Sequence, residues 1–290
     1  MTAKILMIQG TSSGSGKTTI VTVLCRIFAD RGYKVAPFKS QNMSSKIYEI
    51  EGSSRRISMA QAVQAFASRK NPDVRMNPIL LEPHGNYVSD VIVEGYSHGE
   101  MHAKDYYQKF VLQHAFPIIL NSLDGLREEN DIVIMEGAGS PAEINIQQFD
   151  VANMLLARKV SAPVIIVADI ERGGCFASIV GTMLLLKPPD RELVRGFMIN
   201  KFLGDKSLLE PAISTVKIMT NKEFYGIVAK VRLNLPKEDS LDGIDSSDTN
   251  AILDITLNGK IQNLVREIEP MIDIEKISKD ILELEKKNDL

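Results

Sequence analysis

Several polar residues in this sequence stand immediately after apolar runs, and together they could handle a phosphate chain. The stretch GTSSGSGKTT, Gly10 to Thr19, follows KILMIQ. A glycine-rich loop ending in Gly-Lys-Thr, set between a strand and a helix, turns backbone N–H groups and the positive end of the helix toward an anion. Lys17 would neutralise the β- and γ-phosphates of a nucleotide such as ATP, and the Thr18 hydroxyl would bind Mg2+. The usual pattern has four residues between the two glycines. Here five, Thr11 to Ser15, separate Gly10 from Gly16. The expected nucleotide contacts are Thr11, Ser12, Gly14, Ser15, Gly16, Lys17, Thr18 and Thr19.

Glu136 ends a second run, DIVIMEG. A carboxylate at the end of a buried strand is costly unless satisfied, so Mg2+ or its bound water would hold it, or a lysine would pair with it. Lys39 ends KVAPFK, as a group that reaches a transferring phosphoryl or as an exposed loop lysine. Asp169 ends APVIIVAD, as a structural cap or a catalytic residue. Arg172 and Gly173-Gly174 follow it, in a loop a substrate could approach, with the guanidinium a fork for carboxylate or phosphate. Asn200 ends VRGFMIN.

Placing these residues together requires a particular architecture. Strand-like runs at 4–9, 34–39, 90–95, 131–137, 162–169, 194–200 and 223–231 alternate with helical patterns. In the first helix Ile20, Val23, Leu24, Ile27 and Phe28 recur at helical spacing. The segment between residues 103 and 130 reads as a long helix interrupted or restarted at Pro117. The runs at 131–137 and 162–169 are nearly continuous, as in parallel strands covered on both faces. The alternation predicts an α/β fold with a doubly wound, mostly parallel sheet, in which ligands bind at the carboxyl ends of the strands. One domain is expected over 1–245, with a helical tail over 246–290 whose Ile274, Ile277, Ile281 and Leu284 pack on it or form a subunit contact.

Composition narrows the function classes. The chain has 290 residues, 24% charged and 44% apolar, with a net charge of -3. That balance argues against a general affinity for nucleic acid or anionic membrane. No apolar run approaches the roughly 20 residues that span a bilayer, and the first residues lack a secretory signal pattern. Two cysteines make no disulfide framework, and a cytoplasmic location is expected. His84, His98, His102 and His114 show no convincing metal spacing and read as surface residues, so no metal beyond Mg2+ is expected.

The loop is similar to those of dethiobiotin synthetases and cobalamin amide synthases, which are P-loop ligases. APFKSQNMS, AQAVQA, MNPILL, EGAGSPAEIN, VADIERGGCFASIVGT and GFMINKFLGD together resemble the synthetase domain of cobyric acid synthases, over about residues 4 to 242. The resemblance implies that ATP activates carboxylates of a corrinoid, adenosylcobyrinic acid a,c-diamide, as acyl phosphates that ammonia converts to the amides of cobyric acid. It implies catalytic roles for Lys17, Lys39, Glu136, Asp169 and Arg172, Mg2+ at Thr18 and Glu136, and Asn200 reading the adenine ring. These synthases usually carry a glutaminase domain with a cysteine on a sharp turn, which neither VLCRI nor GGCFA resembles. This chain is thus expected to take nitrogen from ammonia or from a separate glutaminase subunit, and a homodimer is a further expectation. The alternatives are a dethiobiotin-synthetase-like ligase and a P-loop switch ATPase of the partition type. Two positions depart from the family in charge, Arg56 and Glu82, and they are expected to face each other as an inverted ion pair. Otherwise Arg56 replaces a Mg2+-binding carboxylate, for which Glu49 or Glu51 would have to substitute.

Overall fold

A computed structural model of the chain describes residues 2–231 and 250–283. β1 (Lys4–Gly10), α1 (Lys17–Asp30) and β2 (Val35–Phe38) begin it. Three short strands follow, β3 (Gln41–Met43), β4 (Ile47–Glu49) and β5 (Arg56–Ser58), then α2 (Met59–Ala67). Next come β6 (Ile79–Gly85), β7 (Val88–Val93) and β8 (Tyr96–His102). A helical run then comprises α3 (Ala103–Asp105), a π-helical stretch over Tyr106–Ala115 and α4 (Phe116–Glu129). Alternation resumes with β9 (Ile132–Glu136), α5 (Met154–Val160), β10 (Val164–Asp169), α6 (Cys175–Leu185) and α7 (Pro188–Leu193). β11 (Val194–Phe202), α8 (Glu210–Thr220), β12 (Glu223–Ala229), α9 (Asn250–Ile268) and α10 (Ile274–Asp280) complete the described elements.

Six strands form one sheet in the order β12-β11-β10-β1-β9-β2, and every pair in it is parallel. Successive side chains of a strand point to opposite faces, and here both faces are covered. Leu6 and Ile8 of β1, Ile132 and Ile134 of β9, and Ile165 and Val167 of β10 enter one core. Their neighbours Met7, Val133, Met135, Val164 and Ile166 enter the other. This is why the runs are continuously apolar. β1 lies between β9 and β10, so the strand order turns there, and the crevice beyond its carboxyl end is the natural ligand site of such a sheet.

The run at 90–95 is not part of this sheet, which corrects the sequence reading. It belongs to β7, in a separate four-stranded sheet ordered β3-β6-β7-β8. Gly85 pairs with Val88 and Val93 with Tyr96, so each connection has only two residues. Asn86, Tyr87, Glu94 and Gly95 all have positive φ, as tight hairpin turns require. A parallel return would need a crossover of a dozen or more residues. The long helical run over Ala103 to Glu129 restarts at Pro117 as expected: a π-helical stretch ends at Ala115, and Pro117 falls in the first turn of α4. The wider turns before it accommodate the N–H that proline cannot donate.

Beyond the sheet, α9 packs on α1. Leu257, Ile261, Leu264, Val265 and Ile268 share a core with Ile20, Val23, Leu24, Ile27 and Phe28. The buried Arg26 of α1 donates to Asn258 Oδ1 at 2.6 Å and to Gln262 Oε1 at 2.7 Å. Ile274, Ile277 and Ile281 enter the same core, while Leu284 and the boundary at 245 lie outside the described residues. Among the described residues no helix is long and apolar enough to cross a membrane.

Candidate active site

The phosphate loop leaves β1 and enters α1 at Lys17. Gly16, the residue before the helix, is left-handed at φ 100, and no side chain caps the helix end. The positive end of the α1 dipole therefore lies at the loop, where an anion is favoured. Ser12 and Gly14 are exposed, Thr11, Thr18 and Thr19 half-buried, and Ser15 is buried with an Oγ that has no hydrogen-bond partner among the described residues. A Cβ on Gly10 would stand 2.2 Å from that Oγ and 3.1 Å from Lys17 Nζ, so only glycine lets the loop close over β1. Lys17 Nζ donates to the carbonyls of Ser12 and Gly139, each at 3.0 Å. An orphaned buried hydroxyl, an uncapped helix end and a lysine folded over them suit a nucleotide's phosphates.

Glu136 is the hub of the site. It is 1% exposed. Its Oε1 accepts from Thr18 Oγ1 at 2.8 Å and from Lys39 Nζ at 2.9 Å, and its Oε2 accepts from Gln64 Nε2 at 2.6 Å. Strand register creates this meeting: Phe38 pairs with Met135 across the β2–β9 ladder, so Lys39 and Glu136 are the next residues of neighbouring strands. Lys39 is thus buried and paired, the lysine partner left open for Glu136, and not an exposed loop residue. Thr18 and Glu136 offer the hard oxygen donors that suit Mg2+.

The remaining candidates divide. Asp169 accepts the Glu171 backbone N–H at 2.8 Å and pairs with Lys201 Nζ at 2.7 Å. Asn200 lies against the phosphate loop and donates to Ser15 O at 2.9 Å, while its Oδ1 accepts the Lys201 N–H. Arg172 is exposed on the loop after β10 and has no hydrogen bond or ion pair among the described residues. Gln64 and Lys201 were not singled out from the sequence. Gln64 lies in the alanine-rich AQAVQA helix, whose sequence does not give its direction, and the one signal for Lys201 was its place directly after a strand-end asparagine.

Arg56 and Glu82 do meet, at 3.3 Å, and Arg56 also reaches Asp90 at 3.3 Å. Asp90 in turn accepts Ser97 Oγ at 2.6 Å. Arg56, on β5, is therefore held by its side chain against the second sheet, and Glu49 and Glu51 are exposed on the β4–β5 hairpin. All four histidines are exposed. Burial pushes the Cys25 thiol up to about 12 and the Cys175 thiol up to about 11, so neither is a thiolate near neutrality.

Asp150 lies beyond the loop that follows β9. Burial raises its carboxyl from 3.8 to about 7, against the lowering effect of the Asn153 amide. The folded state therefore keeps a proton that the unfolded chain releases between those values. Stability should fall as pH rises from about 4 to about 7 and then level off. Asp150→Asn should flatten that slope in urea denaturation at pH 5 and pH 8, and an unchanged slope would locate the titration elsewhere.

A parallel sheet, a phosphate loop at its switch point and a buried carboxylate–lysine pair beside it define a P-loop nucleotide-binding α/β protein. Residues 6–240 match the CobQ/CobB/MinD/ParA nucleotide binding domain, and the chain belongs to that family. It is 51% identical over 239 residues to a probable cobyric acid synthase of Thermococcus kodakarensis, covering 82% of this chain and 49% of that one. With the cobyric acid synthase of Dehalococcoides mccartyi (strain CBDB1) it shares 46% identity over 258 residues, 88% of this chain and 51% of the relative. The chain thus spans about half the length of these curated relatives. Among solved structures, the septum site-determining protein MinD from Pyrococcus horikoshii, complexed with Mg-ADP, aligns at 14% identity and a TM-score of 0.44, over 90% of this chain and 97% of that one.

Proposed function

We propose that this chain is the ATP-dependent synthetase part of a corrinoid amide ligase, converting side-chain carboxylates of adenosylcobyrinic acid a,c-diamide to the amides of cobyric acid. The observation that carries the reading is the arrangement of Lys39, Thr18 and Gln64 around Glu136, directly beside the uncapped end of α1. Identity to cobyric acid synthases across most of the chain supports the choice of substrate.

In the reaction, a carboxylate oxygen of the substrate attacks the γ-phosphorus of ATP. The bond from that phosphorus to the β,γ-bridging oxygen breaks, releasing ADP and leaving an acyl phosphate. Ammonia then adds to the acyl carbon, phosphate departs and a proton is lost, leaving the amide. Lys17 and Lys39 face the charge that spreads over the transferring group, where fixed cations lower the barrier most. Thr18 and Glu136 would hold Mg2+, which supplies further charge neutralisation at the phosphates. The loop carrying Arg172 is open to the substrate's carboxylates. The nitrogen source is ammonia, either free or delivered by a glutaminase partner.

Incubation with Mg·ATP, 15N-ammonium and cobyrinic acid a,c-diamide, read by mass spectrometry, tests the proposal. The expected result is stepwise incorporation of 15N with matching ADP release, dependent on the corrinoid. ADP release that ignores the corrinoid, with no incorporation even beside a supplied glutaminase, would replace the ligase reading with a nucleotide switch.

A further inference from the structure

Two consecutive residues at the end of β11 grip two consecutive carbonyls of the phosphate loop. Asn200 Nδ2 donates to Ser15 O at 2.9 Å, and Lys201 Nζ donates to Gly14 O at 2.7 Å. Gly16 must be bare for this to happen, since a Cβ there would stand 1.9 Å from Asn200 Nδ2. Lys201 is itself fixed at both ends. Its ammonium pairs with Asp169, whose side chain is 7% exposed, at 2.7 Å, and its N–H donates to Asn200 Oδ1 at 2.8 Å. Its backbone sits at φ 60, a conformation that non-glycine residues hold only where the surroundings impose it.

The consequence follows from peptide geometry. In a trans peptide the carbonyl and the N–H of the next residue point in opposite directions. Drawing the Gly14 and Ser15 carbonyls outward turns the N–H groups of Ser15 and Gly16 inward, toward the space above the start of α1. A loop built of glycine and serine would otherwise have to be ordered on each binding event, at the expense of affinity. We infer that Asn200 and Lys201, with Lys201 locked by Asp169, form a clasp that pre-orients the phosphate loop for a nucleotide triphosphate. Lys201 and Asp169 are positioning residues in this arrangement, and Asp169 acts through Lys201 without touching substrate. The inference rests on the nucleotide-binding part of the proposed function.

Mg·ATP affinity of the full chain, measured by titration calorimetry on wild type, Lys201→Met, Lys201→Arg, Asp169→Asn and the Lys201→Met/Asp169→Asn double variant, tests it. Lys201→Met and Asp169→Asn should each weaken binding about tenfold, the scale of one charge-assisted hydrogen bond. Their effects should not add in the double variant, because both break one unit. Lys201→Arg should restore most of the affinity, since its fork can span the carbonyl and the carboxylate. Asp169→Asn is the decisive arm: it removes a negative charge near an anion site, so simple electrostatics predicts equal or tighter binding. Asp169→Asn binding as tightly as wild type, or Lys201→Met binding unchanged, would overturn the clasp. Melting curves identify a variant that fails to fold, and the remaining variants then decide. Wild-type protein that binds no nucleotide would instead overturn the functional reading, and the clasp with it.

Discussion

A Lys39→Met protein should lose ATP-dependent product formation and about 3 kcal/mol of stability, the cost of stranding a buried charge. The side chains of Lys39 and Glu136 are 4% and 0% exposed, with 2.9 Å between nitrogen and oxygen. Methionine fills the space of the lysine stem but leaves the buried Glu136 carboxyl without its cation, beside the neutral donors Thr18 and Gln64. A second substitution separates fold from function. In Lys39→Met/Glu136→Gln no uncompensated charge remains, so much of the lost stability should return. Under the proposed function turnover should not return, because the cation proposed to face the transferring group and the proposed Mg2+ ligand are both gone. The expected fall in rate is at least about a hundredfold, as for removal of one preorganised charge-stabilising group. Urea denaturation of both variants, with ADP release measured beside it, checks the split. A single variant that loses under about 1 kcal/mol would mean that the pair behaves as a solvent-exposed one.

That pair also marks the limit of what the sequence discloses. Both residues could be picked out singly because each directly follows an apolar run, and strand ends of a doubly wound sheet are where ligands bind. Their contact could not, because they lie 97 residues apart and meet only through the β2–β9 register. The phosphate loop was legible for the opposite reason: its chemistry is local, carried by ten consecutive residues. Gln64 escaped notice since a helical glutamine among alanines shows its direction only after α2 is docked. The second sheet was hidden by its turns. Asn86-Tyr87 lacks the glycine that usually announces a two-residue hairpin, so the run at 90–95 passed for one more parallel strand. Asn200, for which the family resemblance implies the adenine ring, donates to Ser15 O of the phosphate loop. Strand-end position brings it to the nucleotide loop, whereas which group its amide meets depends on the path of the loop itself.

The path of that loop is what a single methyl group at Gly16 should destroy. The new Cβ would stand 1.9 Å from Asn200 Nδ2, a separation no relaxation of the methyl itself can relieve, on a backbone at φ +100. Asn200 would have to withdraw and release the Ser15 carbonyl, and the start of α1 would lose its fixed approach. Gly16→Ala should therefore abolish measurable Mg·ATP binding, a loss of at least about a hundredfold, or 2.8 kcal/mol at 1.4 per factor of ten. Gly14→Ala provides the comparison. Its φ is also positive, +71, but nothing among the described residues lies within 4 Å of the added Cβ. That variant bears only the backbone strain, about 1–2 kcal/mol, and should bind clearly better than Gly16→Ala. Gly16→Ala/Asn200→Ala removes the collision while keeping the strain, and so should bind more tightly than Gly16→Ala alone. Equal affinities for the two glycine variants would mean that contact with Asn200 is irrelevant to the loop. The predicted order, Gly14→Ala above the double variant and the double variant above Gly16→Ala, follows because the first suffers strain, the second strain and a lost hydrogen bond, and the third strain and a collision.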